Sequence, residues 1–211
     1  MRSFRHLNFR YAWNRFKEII YQKNHKEFPW LTRDANIILN GYLCPNDVGL
    51  EFGGGRSTIW FAKRVKSLVC IEGNRQWFEA ITGMLNDENT NNVDCRSLNG
   101  SDESSHEYAA EIRNIYSEFG ALYFDFVLVD GVCRDICALE AVFALKPGGI
   151  LIIDNVNRYL PSVSRSPHSR SYDQGPDGSN WSDFLVRVNG WRCIWTSSGV
   201  TDTAIYFKPF A

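Results

Sequence analysis

The chain has 211 residues, a net charge of −1, 44% hydrophobic residues and 22% charged residues. That length suits one compact domain with its own core, and that balance excludes a globally disordered chain and a wholesale polyanion binder. No apolar run approaches the ~20 residues of a membrane span, and no signal-peptide core is present.

The six cysteines are Cys44, Cys70, Cys95, Cys133, Cys137 and Cys193. None forms a C-x-x-C pair, so zinc and dithiol motifs lack support and a reducing cytoplasmic compartment is expected. Cys70, Cys95 and Cys193 fall in apolar runs and are expected in the core.

The first elements are helical. MRSFRHLNFRYAWNRFKEII sets Phe9, Trp13, Phe16 and Ile20 three and four residues apart, the spacing of an amphipathic helix. Arg2, Arg5, Arg10, Arg15 and Lys17 make its outer face basic, with no acid among them. A transit peptide has a similar charge but more serine. The simplest expectation is that the apolar stripe packs on the domain. The functional alternatives are a lid, an oligomer contact, or an arm for an anionic partner. Pro29 breaks the pattern. TRDANIILNGYL predicts a second helix, with Thr32 as N-cap and Gly41 as its stop. Residues 1–46 are therefore expected to be an N-terminal helical extension, and 47–211 the main domain.

From Asp47 strands and helices alternate. VGLEF, SLVCIE, VDCRSL, FDFVLVD and ILIID predict five strands. STIWFAKRV, RQWFEAITGMLN, ESSHEYAAEIRNIYSEF and RDICALEAVFAL predict the helices between them, the last stopped by KPGG. Apolar strands separated by helices mean a parallel sheet covered on both faces, which binds ligands at the strands' carboxyl ends. A Ser-, Pro- and Arg-rich loop follows Asp154. NWSDFLVRVNG then predicts a helix, and RCIWTSS and TAIYFKPF an antiparallel hairpin.

The stretch GLEFGGGRSTIW opens the first helix of this unit. It is not a P-loop, because no lysine follows Gly55. It fits a dinucleotide fingerprint poorly, because Thr58 stands where the third glycine belongs. Glu51 before the loop would repel a pyrophosphate and attract an ammonium. Glu72 ends the second strand about 20 residues on, the spacing at which an acid takes ribose hydroxyls. A ribose, an ammonium and a small carboxylate are the groups of S-adenosylmethionine (SAM).

With those residues in view, the chain resembles the class I SAM-dependent methyltransferases. Glu51 to Thr58 resembles motif I in its E-F-G-x-G-x-S-T variant. IEGNRQW resembles the acidic motif after it, FDFVLVDG motif IV, and LKPGGILIIDN the segment ending the fifth strand. The resemblance covers Asp47 to Phe210. It implies an α/β, Rossmann-like fold with a mostly parallel seven-stranded sheet, a C-terminal antiparallel hairpin and helices on both faces. It also implies SAM as cofactor and S-adenosylhomocysteine (SAH) as product. Transferred by position, Phe52, Gly53, Gly54, Gly55 and Thr58 belong to the methionine loop. Glu51 would hold the ammonium, directly or through water, and Ser57 the carboxylate. Glu72 would take the ribose, and Gly73 and Asn74 would pass beside the adenosine. Trp77 covers it or belongs to the core. Ser97 and Leu98 lie where adenine is met, and Asp130 and Gly131 border the cofactor.

Asp130, Asp154 and Asn155 form a second group at the rim of two adjacent strands. It resembles the Mg²⁺ set of catechol-type O-methyltransferases, since hard cations take oxygen ligands. Cys133, with Arg134 beside it, stands where that family has a basic lysine. The alternative is a metal-free rim, with Asp130 at the cofactor and Asp154 and Asn155 orienting the acceptor. A third group lies in the long loop. Arg158, Tyr159, Arg165 and Arg170 are candidates for the acceptor, whose anionic group arginines would clamp. His168 is a candidate base. The sequence thus predicts methyl transfer to a small molecule, at oxygen. The open alternatives are an RNA or protein acceptor reached by the basic arm, and a SAM-binding module without catalysis.

Overall fold

A computed structural model describes residues 8–98 and 105–210. Arg2 and Arg5, and the predicted helix start at Glu103 and Ser104, lie outside the described residues. The strands are β1 (Val48–Phe52), β2 (Ser67–Glu72), β3 (Val93–Ser97), β4 (Phe124–Val129), β5 (Leu145–Asp154), β6 (Arg192–Ser197) and β7 (Asp202–Phe207). They form a seven-stranded sheet of order β3-β2-β1-β4-β5-β7-β6. β1 to β5 run parallel, and β7 runs antiparallel to both β5 and β6.

Among the described residues seven α-helices accompany the strands: α1 (Phe9–Asn24), α2 (Arg33–Tyr42), α3 (Arg56–Ala62), α4 (Arg75–Asp87), α5 (Ser105–Phe119), α6 (Arg134–Ala144) and α7 (Ser179–Arg187). Strand alternation sorts the core into two layers, because successive side chains face opposite ways. Leu50, Phe52, Val127, Val129, Leu151 and Ile153 face α5, α6 and α7. Phe126, Leu128, Ile150 and Ile152 face Leu31 and α2 and α3, through Ala35, Leu39, Trp60 and Phe61. The Phe61 ring lies 4.8 Å from Phe126. Burial of one such side chain contributes about 1.5–3 kcal/mol, so α3 holds the glycine loop from behind.

Four sequence expectations are corrected. The segment KPGG does not follow α6 as a loop but lies within β5, with a register shift opposite Phe124–Phe126. Lys146 is fastened there to both oxygens of Asp125 at 2.9 Å. Gly41 lies inside α2, which runs to Tyr42 with Thr32 as N-cap. Cys193 is exposed rather than core, because β6 is the edge strand. The apolar stripe of α1 does not pack on the domain: Phe9, Trp13, Phe16 and Ile20 are exposed, and the helix turns its polar side inward.

Candidate cofactor site

β1 ends at Phe52, and its backbone laces two loops together. The Phe52 carbonyl accepts from Asp130 N at 2.8 Å and from Gly131 N at 2.7 Å. Gly53 follows with φ +90°, and a Cβ there would fall 2.3 Å from Gly131 N. Only glycine fits that conformation and that approach. Gly55 differs: a Cβ there would meet nothing nearer than the Trp77 ring at 3.8 Å. The protein itself does not require its bareness, so the room it leaves serves the cavity.

That cavity holds about 560 Å³, within the usual range for small-molecule sites. Gly53, Gly54, Gly55, Ser57, Glu72, Asn74, Trp77, Asp130 and Gly131 line it. Nine expected site residues from three strand ends therefore converge. Glu72 Oε2 accepts from Gly54 N at 3.0 Å, and Oε1 from Asn74 N at 2.8 Å. A carboxylate oxygen has two acceptor lone pairs, so these backbone bonds are compatible with a bidentate grip on a ribose diol. Trp77 stands over the loop rather than in the core, its indole donating to the Gly54 carbonyl at 2.6 Å. Asn74 caps α4 by accepting from Trp77 N at 3.0 Å.

Glu51 acts from behind the loop. It is fully buried and outside the cavity lining. Thr58 Oγ1 donates to its Oε2 at 2.6 Å and accepts from Gly55 N at 2.9 Å. Thr58 is thus a loop brace rather than a cavity residue. Glu51 Oε1 has no hydrogen-bond partner. Burial pushes the carboxyl up to about 7, opposed by the hydroxyls of Ser57 and Thr58. Ser57 lines the cavity and is hydrogen-bonded to Glu51 behind it. Phe52 contributes through its backbone only. Gly73, Ser97 and Leu98 are not in the lining, and Leu98 belongs to the core. Sequence reasoning missed Trp30, Arg56, Met84, Val132 and Arg134, all of which line the cavity. Arg56 lies 5.2 Å over the Trp30 ring at the mouth. No local motif announces Trp30, which arrives from the segment between α1 and α2.

No family model matches the chain, and no curated protein matches it. Solved structures do. An rRNA methylase from Streptococcus thermophilus superposes with TM-score 0.55 at 15% identity, over 84% of this chain and 98% of that one. M. jannaschii TYW2 in complex with AdoMet gives TM-score 0.51 at 16% identity, over 82% and 73%. The chain has the class I methyltransferase fold. The cyclase SpnF also shares it, with TM-score 0.52 at 12% identity over 85% and 81%.

At the rim where the sequence places the reacting end, Arg134 lies among the residues expected to bind a cation. It opens α6 and joins the rims of β4 and β5. Its Nε donates to Gly131 O at 2.7 Å, and Nη1 to Asp154 O at 2.5 Å. Nη2 donates to Asp130 O at 2.5 Å and to Asp130 Oδ1 at 2.9 Å. Asp154 is buried and does not line the cavity. Thr203 Oγ1 donates to its Oδ1 at 2.8 Å and Asn155 Nδ2 to its Oδ2 at 2.7 Å. Asn155, at φ 51°, also donates to Thr201 Oγ1 at 2.6 Å. The structure thus does not support the Mg²⁺ set expected of Asp130, Asp154 and Asn155. A guanidinium joins the two rims, both Asp154 oxygens are engaged, and no cluster of three or more His, Cys, Asp or Glu suits a metal among the described residues. Burial raises the Asp130 carboxyl, with Arg134 opposing. Burial and then the Asp130 charge push Asp154 up to about 7. Arg134→Met is expected to cost about 3 kcal/mol, since it removes the larger of the two positive charges that act on Asp130. Urea unfolding of the two proteins checks the loss, and an unchanged midpoint would contradict a structural role for the pair.

The loop after β5 is folded on itself by polar staples. Arg170 donates to the carbonyls of Gly175 at 2.8 Å and Pro176 at 3.3 Å, and to Asp177 Oδ1 at 2.8 Å. Asn157 Nδ2 donates to Pro167 O and Ser169 Oγ, each at 3.0 Å. Arg170 is thereby committed to the loop. Tyr159 stacks on Trp181 at 5.1 Å, against the core. Arg165 lines a second hollow beside α1. Arg158 and His168 are exposed, and neither lines the cofactor cavity. Of the expected reacting and acceptor residues, only Asp130 reaches it.

Proposed function

We propose that the chain is a SAM-dependent methyltransferase that moves a methyl group to a small-molecule acceptor, at oxygen, on a molecule that carries an anionic group. The supporting observation is the placement of Glu72, whose carboxylate forms one wall of a 560 Å³ cavity while gripping the backbone of the glycine loop. Glu72 would hold the ribose, Ser57 backed by Glu51 the amino-acid end, and Trp77 the flat face of the base. SAM supplies a methyl group already activated on a sulfonium. What the protein adds is alignment, exclusion of water and removal of a proton. Trp30 and Trp77 shield the mouth. Asp130, pinned by Arg134, is the carboxylate at the cavity that takes a proton from the acceptor. Arg56 supplies the positive charge that favours an anionic acceptor.

The test is calorimetric titration with SAM and SAH, followed by a labelled-methyl screen of small hydroxylated acids, with RNA and protein substrates in parallel. Turnover of a small acid is expected, unchanged by EDTA. Methylation of RNA or protein alone would overturn the acceptor class. SAH binding without turnover on any substrate would leave a binding module instead.

A further inference from the structure

Helix α1 stands on the protein by its polar side. Glu18 is buried, and Asn14 lies over Gly199 in the β6–β7 turn. Arg10 Nη2 reaches the Arg165 carbonyl at 3.3 Å. The opposite side is apolar and uncovered. Phe9 is 86% exposed, Trp13 50% and Phe16 53%, and Ile19 and Ile20 are exposed beside them. Arg10, Arg15, Lys17 and Lys23 are exposed along the same helix, and Lys17 lies 5.3 Å from the Trp13 ring. The helix has one acid, Glu18, and it faces inward. The eight residues before α1 add Arg2 and Arg5 and again no acid.

We propose that the outward face of α1 docks on an anionic lipid bilayer. An amphipathic helix of this kind lies in the interface plane, its rings and aliphatic chains at the acyl boundary and its cations among the phosphates. Charge selects this occupant over a second copy of the chain. Two such faces in contact would set cations against cations with no acid between them. A 16-residue helix is also only about 24 Å long. Its stripe falls short of the roughly 800 Å² per partner of a stable protein interface. Nucleic acid fits less well, because Ile19 and Ile20 offer no stacking surface and Trp13 and Phe16 already stack on each other at 6.0 Å. Val163 and Tyr172, exposed on the hollow that Arg10 and Arg165 also line, extend the apolar surface beyond the N-terminal end of α1. The inference is independent of the methyl-transfer reading.

The experiment is co-sedimentation of the full chain with vesicles of phosphatidylcholine, with and without phosphatidylglycerol. Binding to the anionic vesicles is expected, weakening as salt rises. The Trp13→Ser/Phe16→Ser variant should lose binding at least tenfold, with an unchanged melting temperature because both side chains lie outside the core. The Arg15→Gln/Lys17→Gln variant should lose the preference for anionic lipid. Equal sedimentation with both vesicle types, no binding to either, or full binding by both variants would overturn the proposal. So would self-association or RNA binding that depends on Trp13 and Phe16 in a protein that ignores vesicles.

Discussion

Glu72→Ala is expected to lower SAM affinity at least hundredfold, with a much smaller effect on stability. A hundredfold change corresponds to about 2.7 kcal/mol. Two hydrogen bonds from a ribose diol to a charged acceptor, at about 1.5–3 kcal/mol each, are enough to account for it. The variant also removes the acceptor of the Gly54 and Asn74 amides. Those amides lie at a cavity wall, where water can replace the carboxylate, so the fold should survive. Glu72→Gln keeps a carbonyl oxygen but sets an amide NH2 group, itself a donor, against one of the two backbone donors. It should fall between, at about tenfold. Calorimetry with SAM on the three proteins decides the matter. Equal affinity for wild type and Glu72→Ala would remove Glu72 from the ribose and, with it, the main support for the proposed cofactor.

The legible part of this protein is the part written in short-range patterns. β1, β2, β4 and the glycine loop are continuous in sequence, so their burial and the spacing from Glu51 to Glu72 could be read directly. Asp130 could be placed for the same reason, one residue beyond an apolar strand. Trp30 could not, because it enters the cavity mouth from a segment outside the alternating unit. Arg134 was visible as a residue but not as a clamp. Three of its hydrogen bonds meet the carbonyls of Asp130, Gly131 and Asp154, and a fourth meets the Asp130 carboxylate, acceptors that come together only when β4 and β5 pair. The α1 stripe misled for a physical reason. Helical spacing shows which residues share a face, but not what that face meets. Here the inward face is polar and the apolar one turns to solvent.

Glu51→Gln is expected to stabilise the protein above neutral pH and to weaken cofactor binding. The Glu51 carboxyl is raised from 4.5 to about 7 by burial. The folded state therefore holds a proton that the unfolded state releases, and wild-type stability falls as pH rises from about 4.5 to 7. Above that interval the cost is complete, at about 3 kcal/mol for a shift of this size. Glutamine carries no charge to bury, but sets an amide NH2 group at the position of the unpartnered Oε1. The net gain at pH 8 should be about 2 kcal/mol, and at pH 5 the two proteins should agree within about 1 kcal/mol. A residual slope in the variant is expected from Asp154, also pushed up to about 7. Binding tests the role of the charge. An ammonium beyond Ser57 favours ionised Glu51, so SAM binding near pH 6.5 should release a proton from wild type. Calorimetry in two buffers of different ionisation enthalpy would show that release. Glu51→Gln should abolish it and lose about tenfold in affinity. If the variant instead destabilises equally at pH 5 and pH 8 and releases the same proton, Glu51 is a brace for Thr58 alone, and the ammonium must be held elsewhere.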